Sequence, residues 1–160
     1  MAVRKTNFLD KLGSFIPGYK GYAIRDEKRN TDKKFREELS QIIKQSESLI
    51  ITHQQQLIRA NEIQLSQKWD ITRKDLNTIF SKIKNATYGE SAFFSNDQLK
   101  ENELEKIYLF DLEISEKVHS IFKAIDNEIS EEITSDVVNH QVKEIHTLLI
   151  KRTNYINLFK

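Results

Sequence analysis

Residues 104–125 read LEKIYLFDLEISEKVHSIFKAI, and residues 138–159 read VNHQVKEIHTLLIKRTNYINLF. In the first stretch Leu104, Ile107, Ile114, Val118, Ile121, Phe122 and Ile125 recur by threes and fours, which is the period of one helix face. In the second, Val138, Val142, Ile145, Leu149, Ile156 and Phe159 do the same. Two such stripes joined by a turn near Ser130 to Ser135 predict an antiparallel αα-hairpin. Antiparallel neighbours pair at a constant sum of residue numbers. That sum is 263 for Leu104–Phe159, Ile107–Ile156, Ile114–Leu149, Val118–Ile145, Ile121–Val142 and Ile125–Val138. It is also 263 for Asp111–Arg152, the two charges that interrupt the two apolar stripes. A lone carboxylate on a seam is costly to desolvate, and a facing guanidinium can bond it bidentately. The register therefore predicts a buried ion pair between Asp111 and Arg152.

Upstream, the same period continues. Phe35, Leu39, Ile42, Ile43, Ser46, Leu49, Ile50, His53 and Leu57 define a long helix from about Ala23 to about Ala60. The phase is lost between Asn61 and Asp70, where a bend or short loop is expected. A second helix follows with Trp69, Leu76, Ile79, Phe80 and Ile83 inward. Residues 85–97 (NATYGESAFFSND) read as a loop broken at Gly89, with Asn96 or Asp97 available to cap the next helix. The single proline and four glycines all fall at 13–21 or at Gly89, so no strong breaker interrupts 22–88 or 90–160. Ahead of all this, Phe8, Leu9, Leu12, Phe15 and Ile16 lie at helical spacing before a Pro17-Gly18 turn. The chain thus reads as all-α: an antiparallel bundle of about four long helices in 23–160, preceded by a short amphipathic helix in a basic arm, 1–22.

Composition narrows the function classes. The chain has no cysteine, which excludes a disulfide framework, thiolate metal sites and cysteine nucleophiles. Met1 to Asp10 lacks the continuous apolar core of a signal peptide, and no stretch approaches the ~20 apolar residues that span a bilayer. Cytoplasmic residence is the expectation, and it makes the Asn85-Ala86-Thr87 sequon idle. The net charge of +1 is unevenly spread: residues 1–36 carry ten Lys/Arg against four Asp/Glu, and the remainder is net acidic. A basic head on an acidic body faces a partner.

Chemistry-bearing constellations are few. Glu116 and His119 form a Glu-x-x-His, the spacing that puts two ligands on one helix face in carboxylate-bridged metal bundles. The 263 register sets His119 opposite Glu144, with His140 one turn away, which makes Glu116, His119, His140 and Glu144 a conceivable metal site. A solvated face of i,i+4 pairs is the structural alternative. His53, on an apolar stripe, reads as a hydrogen-bonded boundary histidine. No Gly-rich phosphate loop, nucleophile elbow or paired-acid motif appears, and no cofactor is implied.

The N-terminal end carries the most functional weight. Phe8, Leu12 and Phe15 precede Tyr19, Lys20, Tyr22 and Arg25, and then Lys28, Arg29, Lys33, Lys34 and Arg36. If the first two long helices form a hairpin, the 86–94 loop returns to this end and brings Tyr88, Phe93 and Phe94 beside Tyr19 and Tyr22. Such a cluster is either a docking surface or a plug on the bundle end. An apolar wedge beside cations also suits an anionic membrane surface. The cations alone could track phosphates, but Asp26, Glu27 and Asp32 interrupt them, which counts against nucleic acid.

Two segments, Ile16-Pro17-Gly18-Tyr19-Lys20-Gly21-Tyr22 into Arg25–Arg29 and Asp32-Lys33, and Ala86-Thr87-Tyr88-Gly89 through Phe93-Phe94 to Tyr108-Leu109-Phe110-Asp111, resemble a family of small, uncharacterised bacterial helical proteins. The resemblance implies a helical bundle. It marks the tyrosine turn, the Ala-Thr-Tyr-Gly loop and Asp111 as places to look, and it brings no activity. The resulting expectation is a non-enzymatic interaction or scaffolding module acting on a protein partner, on an anionic membrane or as a homo-oligomer. Its rivals are a metal-binding bundle and a nucleic-acid binder.

Overall fold

The computed structural model describes residues 2–86, 88, 91–96, 99–127 and 134–159, with side chains from Asn7 onward. Among these residues the only regular elements are five helices: α1 (Ala2–Phe15), α2 (Arg25–Arg59), α3 (Ile63–Lys84), α4 (Glu101–Asp126) and α5 (Ser135–Asn157). This is the all-α bundle that the periodicity predicts. The two stripes of the opening hairpin face inward, with Ile107, Ile114, Val118, Ile121, Val138, Val142, Ile145 and Ile156 all buried.

Cross-links between helices give their directions. Gln54 donates to Ser66 O, Arg73 to Glu47 and Arg36 to Lys84 O, so α2 and α3 run antiparallel. The Thr72 hydroxyl donates to Ser135 O and Lys82 meets His146, so α3 and α5 run parallel. α2 packs on α3 and α4, and α5 packs on the same two, which leaves α2 and α5 on one diagonal and α3 and α4 on the other. The start of α2, the end of α3, the start of α4 and the end of α5 therefore gather at one end. The segment from α3 to α4 must cross that end. α1 lies along α4, and Leu12 and Ile16 enter the core with no exposed surface. Burying each is worth roughly 1.5–3 kcal/mol.

Two boundaries differ from the sequence expectation. The break after α2 is only Ala60–Glu62, turned by Asn61 in the left-handed region (φ 63°), and helix resumes at Ile63. The apolar phase is lost there for a different reason. α5 starts at the level of Thr72, so this tip rises past it with Ile58, Ile63 and Leu65 exposed, and among the described residues no second layer imposes a stripe. Asn96 does not cap α4; the helix begins at Glu101, and the Glu103 carboxylate accepts from Lys100 N at 2.7 Å. Asp97 lies outside the described residues, as do 130–133 of the expected turn before α5. α5 itself is capped by the Thr134 hydroxyl, which accepts from Val137 N.

Candidate functional site

The gathered end is closed by a polar cluster inside an aromatic shell. Gly18 and Gly21, with φ of 81° and 82°, turn the chain between α1 and α2 and aim Tyr19 and Tyr22 inward. The α3–α4 crossing supplies Tyr88, Phe93 and Phe94. α2 supplies Asp32, α4 supplies Tyr108 and Asp111, and α5 supplies Arg152.

Arg152 sits at the centre, 2% exposed. Its Nε donates to Asp111 Oδ1 at 2.6 Å, and its Nη1 donates to Tyr88 Oη at 2.8 Å. Its Nη2 donates to Tyr22 Oη at 3.0 Å and to Asp32 Oδ1 at 2.9 Å. The tyrosine hydroxyls donate hydrogen bonds around the same cluster. Tyr19 and Tyr22 both donate to Asp111 Oδ2, at 2.7 and 2.6 Å, and Tyr88 donates to Asp32 Oδ1 at 2.8 Å. Arg36 Nε completes Asp32 by donating to Oδ2 at 2.9 Å. All four carboxylate oxygens are thus occupied, and two arginines balance two aspartates. The Arg152 guanidinium also stacks 4.5 Å over the Phe35 ring.

The electrostatics follow from this burial. Desolvation pushes the Asp111 carboxyl above its ordinary value, and Arg152 and the two tyrosine hydroxyls oppose the shift. Desolvation, with Asp111 alongside, pushes the Tyr19 and Tyr22 phenols well up, and burial carries Tyr88 to about 12. Burial by itself would lower Arg152; Asp111 and the surrounding oxygens reverse that and hold it firmly protonated. Every carboxylate oxygen is engaged and every phenol keeps its proton, so the cluster offers no ready base or nucleophile. It fastens elements together.

The register reading and the structure meet at Asp111–Arg152, bonded at 2.6 Å. The docking reading of the aromatics does not survive as stated. Leu12, Tyr19, Tyr22, Tyr88, Phe93 and Phe94 are buried, and Phe8 and Phe15 are half-buried. The reason is geometric: a four-helix bundle leaves its seam open at the end, and these side chains fill the opening. Of the residues expected to dock, Lys20 and Arg25 stay exposed.

The Glu-x-x-His group also needs correction, since its four members do not converge. His119 Nδ1 lies 2.7 Å from Ser115 O, an atom that can only accept, and its ring packs 4.6 Å from Phe15. Glu144 is taken by Lys117 at 2.9 Å, with His140 at 3.5 Å, while Glu116 is exposed. Among the described residues no group of three or more His, Asp or Glu could hold a metal ion. His53 packs edge-on to Trp69, half-buried, and desolvation lowers its pKa.

Sequence reasoning missed several members of the site, Asp32 and Lys28 among them. Asp32 reads in the sequence as an acid interrupting a run of cations, and Lys28 as one of those cations. Both are buried, and Lys28 Nζ donates to Phe93 O and Asn96 O, which pins the crossing segment. The signal was present: Lys28, Asp32, Phe35 and Leu39 step by fours and threes, extending the apolar stripe toward the N-terminus.

No protein-family model, no curated protein and no solved structure matches this chain. Among the described residues no helix is long and apolar enough to cross a membrane.

Proposed function

We propose that this chain is a non-enzymatic docking module whose basic bundle end binds an acidic surface on a protein partner. One observation carries the reading. Arg25, Arg29 and Lys33 stand exposed at i, i+4 and i+8 on the first turns of α2. They form a row of cations about 12 Å long. The Arg29 guanidinium lies 4.9 Å over the Phe94 ring, and Phe94 packs on Tyr88 and Phe93. The aromatic plug therefore acts as a rigid floor under the row, and a pre-ordered side chain loses less entropy on binding. Asp26 beside Arg25 and Glu37 3.7 Å from Lys33 alternate the sign. Mixed charge suits a protein surface better than a polyphosphate. The apolar residues that would anchor a membrane-surface helix, Leu12 and Ile16, are spent in the core.

The test compares the chain with its Arg25→Glu/Arg29→Glu/Lys33→Glu variant in affinity capture and in co-sedimentation with anionic and neutral vesicles. The expected result is a captured protein that is released by salt and lost in the variant, with no sedimentation on either vesicle. Capture unchanged by the triple charge reversal overturns the proposal. Sedimentation on anionic vesicles alone transfers the row to a membrane.

A further inference from the structure

A cavity of about 280 Å³ opens beside the buried arginine, between α2, α3 and α5. It lies just under the usual range for small-molecule sites, which starts at about 300 Å³. Phe35, Ile83 and Leu149 supply apolar wall, and Arg36, Lys82 and Arg152 supply charge. Among the described residues no aspartate or glutamate lines it. We infer that this cavity is a binding site for a small organic carboxylate with a short apolar body, its head toward the cations and its body on Phe35 and Leu149.

Two independent observations point to an anion. A guanidinium has five N–H groups. Arg152 makes four hydrogen bonds, and one N–H of Nη1 has no acceptor among the described residues. For a side chain this buried, an unused donor calls for a partner. Lys82, in turn, has no carboxylate within 4.0 Å among the described residues; its Nζ lies 3.0 Å from His146 Nε2 instead. The Asp111, Asp32, Arg152 and Arg36 charges cancel in pairs, which leaves Lys82 as the charge on the wall with no opposite partner among the described residues. An apolar wall in the same cavity as such a cation selects an amphiphile over a bare ion, since the wall adds buried area that a bare ion cannot use.

The probe is octanoate, titrated calorimetrically into the whole chain, with octanol and inorganic phosphate as controls. The expected result is saturable one-to-one binding of octanoate, with octanol and phosphate each at least tenfold weaker. Lys82→Glu should weaken octanoate at least tenfold. Leu149→Trp, which fills the cavity, should abolish binding while helical circular dichroism is retained; Leu149→Phe serves as the smaller filler if the tryptophan variant fails to fold. Absence of saturable octanoate binding, equal affinity for octanol, tighter binding of phosphate, or wild-type affinity in a folded cavity-filled variant overturns the site. None of these variants touches Arg25, Arg29 or Lys33, so failure here leaves the docking proposal standing, and the reverse also holds.

Discussion

Arg152 and Asp32 lie 120 positions apart and meet at 2.9 Å, joining α5 to α2 across a diagonal of the bundle. Those two helices do not pack on each other directly. The guanidinium reaches through the space between them and bonds Asp111 on the neighbouring α4 on the way. One side chain thereby ties three helices to the tyrosine turn and to the α3–α4 crossing.

Asp111→Ala should be among the most destabilising single substitutions in the chain. It leaves Arg152 with Asp32, which Arg36 already shares, as its one carboxylate partner among the described residues, and it strips the acceptor from both Tyr19 and Tyr22. Breaking one partner out of a buried pair costs about 3–5 kcal/mol. Urea unfolding measures it directly, and a loss below about 1 kcal/mol would show that the pair is not desolvated.

Tyr88→Phe removes a hydroxyl that accepts from Arg152 and donates to Asp32. The expected loss is about 1–3 kcal/mol. Because both bonds belong to one network, Tyr88→Phe and Asp32→Asn should not add; a double-mutant cycle should return a coupling of about 0.5–3 kcal/mol. Strict additivity would dissolve the network into separate pairs.

All five tyrosines of the chain have raised pKa values, chiefly through burial. Burial carries Tyr88 and Tyr155 to about 12, and burial with Asp111 alongside raises Tyr19 and Tyr22 well above the ordinary phenol value. In the unfolded chain a tyrosine loses its proton near pH ~10. Above that pH the folded state binds more protons than the unfolded one, so stability falls as pH rises. The contribution from Tyr88 and Tyr155 is lost between the unfolded value and about 12, and Tyr19 and Tyr22, raised in the same direction, add to the loss as pH climbs above the unfolded value. Each such tyrosine costs about 1.4 kcal/mol per pH unit inside its window. Tyrosinate absorbance should therefore appear together with loss of helical circular dichroism. A tyrosine that ionises in the intact helical protein near its ordinary pKa would contradict the buried cluster.

Gly18 and Gly21 share a left-handed backbone, so replacing either by alanine carries the same conformational penalty of roughly 1–2 kcal/mol. Their surroundings differ. A methyl on Gly18 meets the flexible end of Lys34, which can swing away. On Gly21 it meets Leu9 and the Tyr108 hydroxyl, which accepts from Tyr22 N. Gly21→Ala should lower the melting temperature further than Gly18→Ala, and equal shifts would mean that backbone strain alone governs this turn.

The sequence by itself determined the class of fold, the helical hairpin and one buried bond. Helical periodicity is local, and an antiparallel seam maps one stripe onto the next by a constant sum, so Asp111 and Arg152 could be matched without coordinates. The tertiary structure alone decided what surrounds them. Asp32 and Tyr88 reach Arg152 because α2 and α5 share a diagonal and because the α3–α4 segment crosses the end, and neither relation is written in any local period. The same holds for the aromatic residues of the N-terminal end. Composition marks them as sticky, but only the closure of the bundle shows that their surface is used inside and that Arg25, Arg29 and Lys33 are what remains outside. The Glu-x-x-His spacing failed for the complementary reason: it places ligands on one helix, while a metal needs a facing set, and there Lys117 and Ser115 took the partners.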